Sequence, residues 1–311
     1  MLDIHFAPLQ GFTESPYRSV HQALAGGIAT YYTPFIRLEH GRVRPKDLRE
    51  VRPESNQGVH VVPQIIAKDI EEFVTLSHMI LEMGYDEIDF NMGCPFPLQV
   101  RQGRGSGLLP HIDHVETIGH EISRMTASGI HVSVKMRLGQ ENVEEGQAVL
   151  DVLNDCGLSH LTLHPRLGKE QYKGELHMDD FQQFLSMAKM PVIYNGGIET
   201  PEDIQKIEQL YPTLAGVMIG RGLLGRPTLA REYQLGSEMS EQERRRAVMA
   251  MYRKLREYYE QHIEGGQGQL LMKMQSFWEY LEPQFGHKAI KKVLKAGSLR
   301  NFDEAVANLP K

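Results

Sequence analysis

Two kinds of apolar pattern alternate along most of the chain. Short, nearly continuous apolar runs recur at 4–9, 28–36, 59–67, 87–93, 131–138, 160–166, 191–198 and 215–222. Between them lie longer stretches, at 70–84, 112–128, 143–155, 178–189 and 201–210, in which apolar residues return every three or four positions. Runs without polar alternation predict strands covered on both faces, as in a parallel sheet. The wider spacing predicts amphipathic helices packed over them. Eight such strand–helix units within about 230 residues predict the α/β class, a TIM (β/α)8 barrel.

After Arg231 the strand-like runs stop. Three helical stretches are predicted instead: SEQERRRAVMAMYRKLREYYEQHI (240–263), QLLMKMQSFWEYLEPQF (269–285) and HKAIKKVLKAG (287–297). Ser240 and Glu243 stand at capping-box spacing, and the glycines of 265–268 and the stretch Pro283–Gly286 mark breaks. The expected organisation is a catalytic barrel over 1–236 followed by a helical domain over 237–311. Residues 37–58, long and charged, read as a surface excursion within one strand-to-helix connection.

Composition narrows the class. With 311 residues, 41% of them apolar and 24% charged, the chain is an ordinary globular mixture rather than a disordered one. No apolar run approaches the ~18 residues of a membrane span, so no membrane partner is expected. The opening MLDIHFAPLQ lacks a basic segment followed by an apolar one, so no leader is expected. The two cysteines, Cys94 and Cys156, are too few for a disulfide framework and fit a reducing cytoplasm. A formal charge of −6 argues, taken whole, against a nucleic-acid partner. Its distribution reverses that inference: residues 237–311 carry +3 and residues 1–236 carry −9. Lys288, Lys291, Lys292, Lys295 and Arg300 follow one another with no acid between them. They read either as the solvated face of an amphipathic helix or as phosphate contacts for RNA.

In this barrel architecture catalysis sits at the C-terminal ends of the strands. The predicted strand ends supply Pro8 and Gln10, Gln64, Asp89 to Pro95, Lys135 and Arg137, His164 and Arg166, Asn195-Gly196-Gly197 and Gly220-Arg221-Gly222. Polar groups therefore gather at one mouth. The last two glycine segments suit a phosphate, because glycine lets backbone N–H groups approach it closely; a plain turn is the bland alternative. GRGSG at 103–107 lacks dinucleotide spacing and follows a loop, so it reads as a flexible segment. Lys135 interrupts an apolar strand and must reach an anion or the mouth, since burial unpaired is costly. His164 is either a site residue or a satisfied core histidine. Cys94, between Gly93 and Pro95, is placed to donate a proton as a neutral thiol, against the alternative of a small buried apolar residue. Cys156 reads as core. No CxxC, HExxH or carboxylate cluster indicates a metal.

Taken together, Ala7-Pro8, Asp89-Phe90-Asn91-Met92-Gly93-Cys94-Pro95, Val134-Lys135-Met136-Arg137, His164-Pro165-Arg166 with Tyr172-Lys173-Gly174, Asn195-Gly196 and Met218-Ile219-Gly220-Arg221-Gly222 resemble the tRNA-dihydrouridine synthases, in the family's order and across residues 7–222. The resemblance implies an FMN-binding barrel, reduced by NADPH or NADH, with a helical domain that helps hold the D-loop and elbow region of tRNA. It implies that Cys94 protonates C5 of a uracil whose C6 receives hydride, and that Asn91 and Tyr172 contact the flipped base; Arg137 and Arg166 at the strand ends are further substrate-binding candidates, and Lys291, Lys292 and Lys295, from the charge pattern, are candidates for RNA. It places Pro8, Gln64, Lys135, His164, Asn195, Gly196, Gly220 and Arg221 around FMN. The segment LMKMQSFWEYL (271–281) is most similar to the bacterial C-type enzymes, which act on position 16, and a cytoplasmic monomer is expected.

The chain also departs from the family pattern. Pro95-Phe96-Pro97-Leu98 stands where a lysine usually follows the Cys-Pro, Pro34 where a glutamate is common, and Pro165 where glycine is usual. Asp179-Asp180-Phe181 stands around the place of a common aromatic. Two alternatives remain at this level: a flavin barrel reducing a free pyrimidine or another small unsaturated substrate, and a non-catalytic RNA-binding protein.

Overall fold

A computed structural model describes residues 1–310. Eight parallel strands form the barrel: β1 Asp3–Phe6, β2 Thr30–Tyr32, β3 in two pieces (Val61–Val62 and Gln64–Ile65), β4 Glu87–Met92, β5 His131–Arg137, β6 His160–His164, β7 Val192–Tyr194 and β8 Gly216–Ile219. The pieces of β3 are separated by Pro63, which has no N–H to donate. Val61–Val62 pairs with β2 and Gln64–Ile65 with β4, and the Pro63 carbonyl still accepts from Asp89 N–H at 2.9 Å. Since β1 pairs with β8 from Asp3↔Gly216 to Phe6↔Ile219, the ring closes. The expected strand order is thus the observed one, with shorter strands. Much of each remaining apolar run lies in the connections at either end.

The helices Ile70–Glu82, Ile112–Ala127, Val143–Leu153, Met178–Met187 and Pro201–Leu210 fall where the periodicity predicts them. Asp69, Asn142 and Thr200 cap three of them by accepting a hydrogen bond from the N–H three residues on. A further helix, Ser15–Leu24, escapes the pattern because its inner face carries buried Arg18 and His21. Arg18 reaches into the 37–58 excursion, donating to Asn56 Oδ1 (2.6 Å) and Glu50 O (3.0 Å) and pairing with the Glu50 carboxylate (3.1 Å). That excursion is a small structured unit: a hairpin of Leu38–Glu39 with Arg42–Val43, then the helix Pro45–Val51 and the turn Pro53–Asn56.

In the tail, Ser240 and Glu243 form the predicted capping box at the start of Glu241–His262. The stretch expected as one helix over 269–285 is two, Gly266–Trp278 and Glu282–Phe285, with Pro283 placed in the first turn of the second. His287–Leu294 and Leu299–Ala307 follow. Fully buried Trp278 packs against Tyr252, Phe277 and Phe285, within an apolar cluster continuous with the outer core of the barrel. The tail leans on the connections after β1 and β8. Phe12 and Tyr280 rings meet edge to face at 5.2 Å, Lys273 pairs with Glu14, and Gln284 Nε2 donates to Gly225 O at 3.1 Å. It therefore sits beside the C-terminal mouth.

At the opposite end of the barrel the Tyr32 hydroxyl bridges His5 Nδ1 (2.9 Å) and His160 Nε2 (3.1 Å). Burial lowers the pKa values of these imidazoles to about 4 and about 3, so they are neutral at physiological pH. Cys156 is buried, as expected, its thiol directed at backbone carbonyls of Gly119 and Val152. No helix among the described residues is long and apolar enough to cross a membrane.

Candidate active site

The C-terminal mouth is organised around the turn that follows β4. Asn91 Oδ1 accepts from the N–H groups of Gly93 (3.1 Å) and Cys94 (2.9 Å), while Asn91 Nδ2 donates to Gln64 Oε1 (2.8 Å). Gln64 in turn donates to Asp89 (2.6 Å), which also accepts from the Ser133 hydroxyl (2.7 Å). A buried polar chain across β3, β4 and β5 thus sets the position of Cys94. The Asn91 side chain keeps one free amide hydrogen; its other bonds hold the turn.

A second element fixes Cys94 from outside, the segment 103–107 that its sequence predicts to be flexible. Ser106 N–H donates to Cys94 O at 3.1 Å, and the Ser106 hydroxyl lies 3.1 Å from the same carbonyl and 2.8 Å from Gln140 Oε1. Buried Arg104 grips the Glu72 carboxylate with two nitrogens and donates to Leu38 O (3.0 Å), tying the segment to the helix Ile70–Glu82 and the hairpin. Gly105 has φ +61° and passes so close to Cys94 that a Cβ would lie 2.5 Å from its carbonyl oxygen. The segment 103–107 is a buttress, not a flexible loop. The one local signal for it is the pair of glycines flanking Ser106; the partners lie in distant segments.

The electrostatics suit a proton donor beside a cation. Burial raises the Cys94 pKa, opposed by the Phe96 N–H, Lys135, Arg137 and Arg37, so the resting group is a thiol. Lys135 Nζ has no hydrogen-bond or ion-pair partner among the described residues. Burial, then Arg137, lowers its pKa to about 8, and Asp89 and Cys94 oppose the shift. Below it Asp89 is raised to about 6, chiefly by burial. The Thr162 hydroxyl, opposite Lys135 in the β5–β6 register, is buried without a partner. The unpaired ammonium calls for an anionic or strongly polar ligand at the mouth.

The remaining predicted residues divide by what holds them. His164 Nδ1 donates to Asn195 O (2.5 Å), its Nε2 accepts from Arg166 (3.3 Å), and burial holds it neutral, so both ring nitrogens are engaged within the protein. Asn195 Nδ2 donates to Met218 O at 2.7 Å, bracing β7 against β8. Gly196 and Gly197 follow, and their N–H groups have no hydrogen-bond partner among the described residues. Arg221 and Gly222 begin a short helix, where N–H groups have no intrahelical acceptor. Pro8 is partly buried in the connection after β1, and Gly220 Cα faces Ala7 and Leu9 of that connection. Those four amides and Lys135 fit a phosphate-bearing aromatic cofactor at this mouth.

On the rim, buried Arg137 donates to Gly93 O and Leu167 O (3.0 Å each), linking the Cys94 turn to the connection after β6. Burial lowers its pKa to about 10, which leaves it charged. Exposed Tyr172 lies between two guanidiniums, with Arg137 5.4 Å and Arg221 5.0 Å from its ring centroid. Arg166 holds Gly174 O at 3.1 Å. Lys291, Lys292 and Lys295 stand apart from this cluster, exposed on the helix His287–Leu294 and at its end, while Ile290 and Val293 face inward.

Residues 5–307 match the family described as "Dihydrouridine synthase (Dus)". A protein named tRNA-dihydrouridine(16) synthase, from Pseudomonas syringae pv. tomato, is 29% identical over 238 residues, covering 74% of each chain. One named tRNA-dihydrouridine synthase B, from Escherichia coli K12, is 29% identical over 264 residues, covering 81% of this chain and 80% of its own. Among solved structures, morphinone reductase superposes with a TM-score of 0.53 at 11% identity, over 76% of this chain and 87% of that one, a likeness of fold.

Proposed function

The chain belongs to the dihydrouridine synthase family, and from that premise we propose that it is an oxidoreductase that reduces the C5–C6 double bond of a uridine in tRNA. The observation that carries this is the Cys94 turn: a thiol, kept protonated by burial, held by Asn91 on one side and by Ser106 on the other, at the mouth that also presents unpaired Lys135.

FMN is the cofactor proposed. Gly196, Gly197, Gly220 and Arg221 would hold its phosphate, Lys135, Gln64 and Pro8 its ring, and His164 and Asn195 would shape the wall between them. Held there and reduced by NADPH, FMN would supply hydride chemistry for C6 of the uracil. Cys94 supplies the proton to C5, and its Sγ–H bond breaks as the C5–H bond forms. Phe96 N–H and the positive charges of Lys135 and Arg137 favour the thiolate that remains. The uridine must leave its stack to reach the thiol, at about a few kcal/mol, less in a loop. Asn91, Tyr172, Arg137 and Arg166 line the way in. Division of labour follows the charge: residues 1–236 perform the chemistry, and residues 237–311, through Lys291, Lys292 and Lys295, hold the D-loop and elbow region by phosphate contacts.

Relatives named for position 16 are 29% identical to this chain and relatives named B 29–30%, so identity does not separate them. We propose position 16, on the C-type look of residues 271–281. Mass spectrometry of tRNA from a strain lacking the protein is the test: the uridine it modifies loses its two added mass units at one site. Unchanged dihydrouridine content would refute the proposal. Purified Cys94→Ala is expected to keep the flavin and NADPH oxidation by oxygen but to lose dihydrouridine formation; normal tRNA turnover would remove Cys94 from its role.

A further inference from the structure

Directly after the catalytic turn, the chain presents apolar side chains to solvent on a fixed backbone. Phe96 is 55% exposed and Leu98 57% exposed, two and four residues beyond Cys94. The segment carrying them is not loose. Pro95 and Pro97 fix φ on either side of Phe96. The Phe96 carbonyl accepts from Gln99 N–H (2.8 Å) and Val100 N–H (3.1 Å). Gln99 is buried, and its carbonyl accepts from Arg104 N–H (3.0 Å), so the segment is anchored to the buttress. Among the described residues no aromatic ring packs on Phe96. Residues 95–100 contain no cation, and nearby Arg137 is buried and bonded to Gly93 O and Leu167 O. Exposed Arg101 follows directly at the end of the short helix Pro97–Val100, so a partner on this ledge meets an apolar surface with a cation at its far edge.

We infer that Phe96 and Leu98 form a platform for an unpaired nucleobase of the tRNA, the neighbour of the uridine being reduced. The inference rests on the proposed function and deepens it. A uridine drawn from its stack to within reach of Cys94 leaves the adjacent base with a bare face, and the exposed apolar side chains that follow the thiol in the chain are Phe96 and Leu98. An aromatic ring and a branched aliphatic side chain, held rigid, serve as a stacking surface and a wedge that keeps the gap open. Such contact is indifferent to base identity and contributes little salt dependence, unlike the lysines of the tail, which act on phosphate. The chain thus carries an apolar contact where the sequence pattern of the family places a lysine.

The test uses the flavin-loaded enzyme and three variants, Phe96→Ala, Phe96→Trp and Leu98→Ala. Reoxidation of the NADPH-reduced flavin by tRNA is followed in single turnovers, and tRNA binding is measured against salt. Reduction of the flavin by NADPH, which involves no RNA, is followed in parallel. Phe96→Ala is expected to lower kcat/KM for tRNA roughly 5- to 150-fold, the value of about 1–3 kcal/mol of base stacking. Its flavin-reduction rate and its salt slope are expected to match the wild type, Phe96→Trp to retain turnover, and Leu98→Ala to lose less than Phe96→Ala. Wild-type turnover in Phe96→Ala overturns the inference and leaves the proposed function standing. Equal loss in Phe96→Trp and Phe96→Ala also overturns it, because packing of the Cys94 turn would then be what Phe96 supplies. A wild-type enzyme inert on tRNA overturns both.

Discussion

Gly105→Ala is the sharpest perturbation of the catalytic turn, because it adds one methyl group and touches no reacting atom. The new Cβ would stand 2.5 Å from Cys94 O, 2.9 Å from Cys94 Cβ and 3.0 Å from Cys94 N. The first of these is roughly an ångström short of relaxed contact. The three atoms all belong to Cys94, two of them backbone, so the strain is relieved only by moving Cys94 or the 103–107 segment. The segment resists, through Arg104 on Glu72 and Ser106 on Gln140. Alanine at φ +61° costs about 1–2 kcal/mol by itself, and overpacking adds about 1–3 kcal/mol. The expected loss is therefore about 2–5 kcal/mol, read as a fall of several degrees in Tm. The catalytic consequence is larger. Displacing the thiol by about 1 Å lowers the proton-transfer step by about 100-fold. The assay is single-turnover dihydrouridine formation by pre-reduced enzyme, compared with flavin reduction by NADPH in the same preparation. Slow turnover with normal flavin reduction is the expected pair of results. A Gly105→Ala enzyme with both wild-type turnover and wild-type Tm would show that the segment does not position Cys94.

Two further perturbations reach other parts of the molecule. Replacing Lys291, Lys292 and Lys295 by alanine is expected to weaken tRNA binding and reduce the slope of log affinity against log salt by up to about 2–3, one phosphate contact per lysine; an unchanged slope would make them a solvated face. Stability is expected to fall between pH 6.5 and about 4, because buried His5, His21 and His160 have folded pKa values of about 4, about 4 and about 3, below the ordinary 6.5. Their contribution, of order 3 kcal/mol each, is fully present above pH 6.5 and lost as pH falls toward 4, or toward about 3 for His160. Asp89 works the other way: raised to about 6, it stabilises below pH 3.8 and loses that contribution as pH rises through 6, offsetting about one histidine. A Tm that stays flat from pH 7 to pH 4.5 would contradict this balance.

Much of the barrel is legible in single runs of sequence. A parallel strand covered on both faces must be apolar throughout, so β4, β5 and β6 stand out. Capped helices announce themselves through residues such as Asp69, Asn142, Thr200 and Ser240, whose side chains satisfy N–H groups only a few positions on. The helix Ser15–Leu24 is hidden for the opposite reason. Its inward Arg18 and His21 look polar in sequence and become core only because Asn56, Glu50, Tyr31 and Pro227, from elsewhere in the chain, satisfy them. Cys94 was visible as the thiol at a strand end; the buttress at 103–107 was not. Glycine spacing announces permissive backbone, but it does not say which carbonyl that backbone will approach.

The order of elements, the closed-barrel class, the mouth at which polar residues gather and the acidic–basic division at residue 236 follow from the sequence alone, because each depends on local periodicity or on composition. Tertiary structure decided the rest. It split β3 at Pro63, set the basic tail beside the C-terminal mouth, and left Lys135 unpaired while engaging both nitrogens of His164. It clamped Cys94 between Asn91 and Ser106, 12 residues apart in the chain from Cys94 to Ser106. These outcomes depend on which distant donor meets which acceptor and on how much water each loses. Burial and partner choice are properties of the packed molecule, and no window of the sequence contains them.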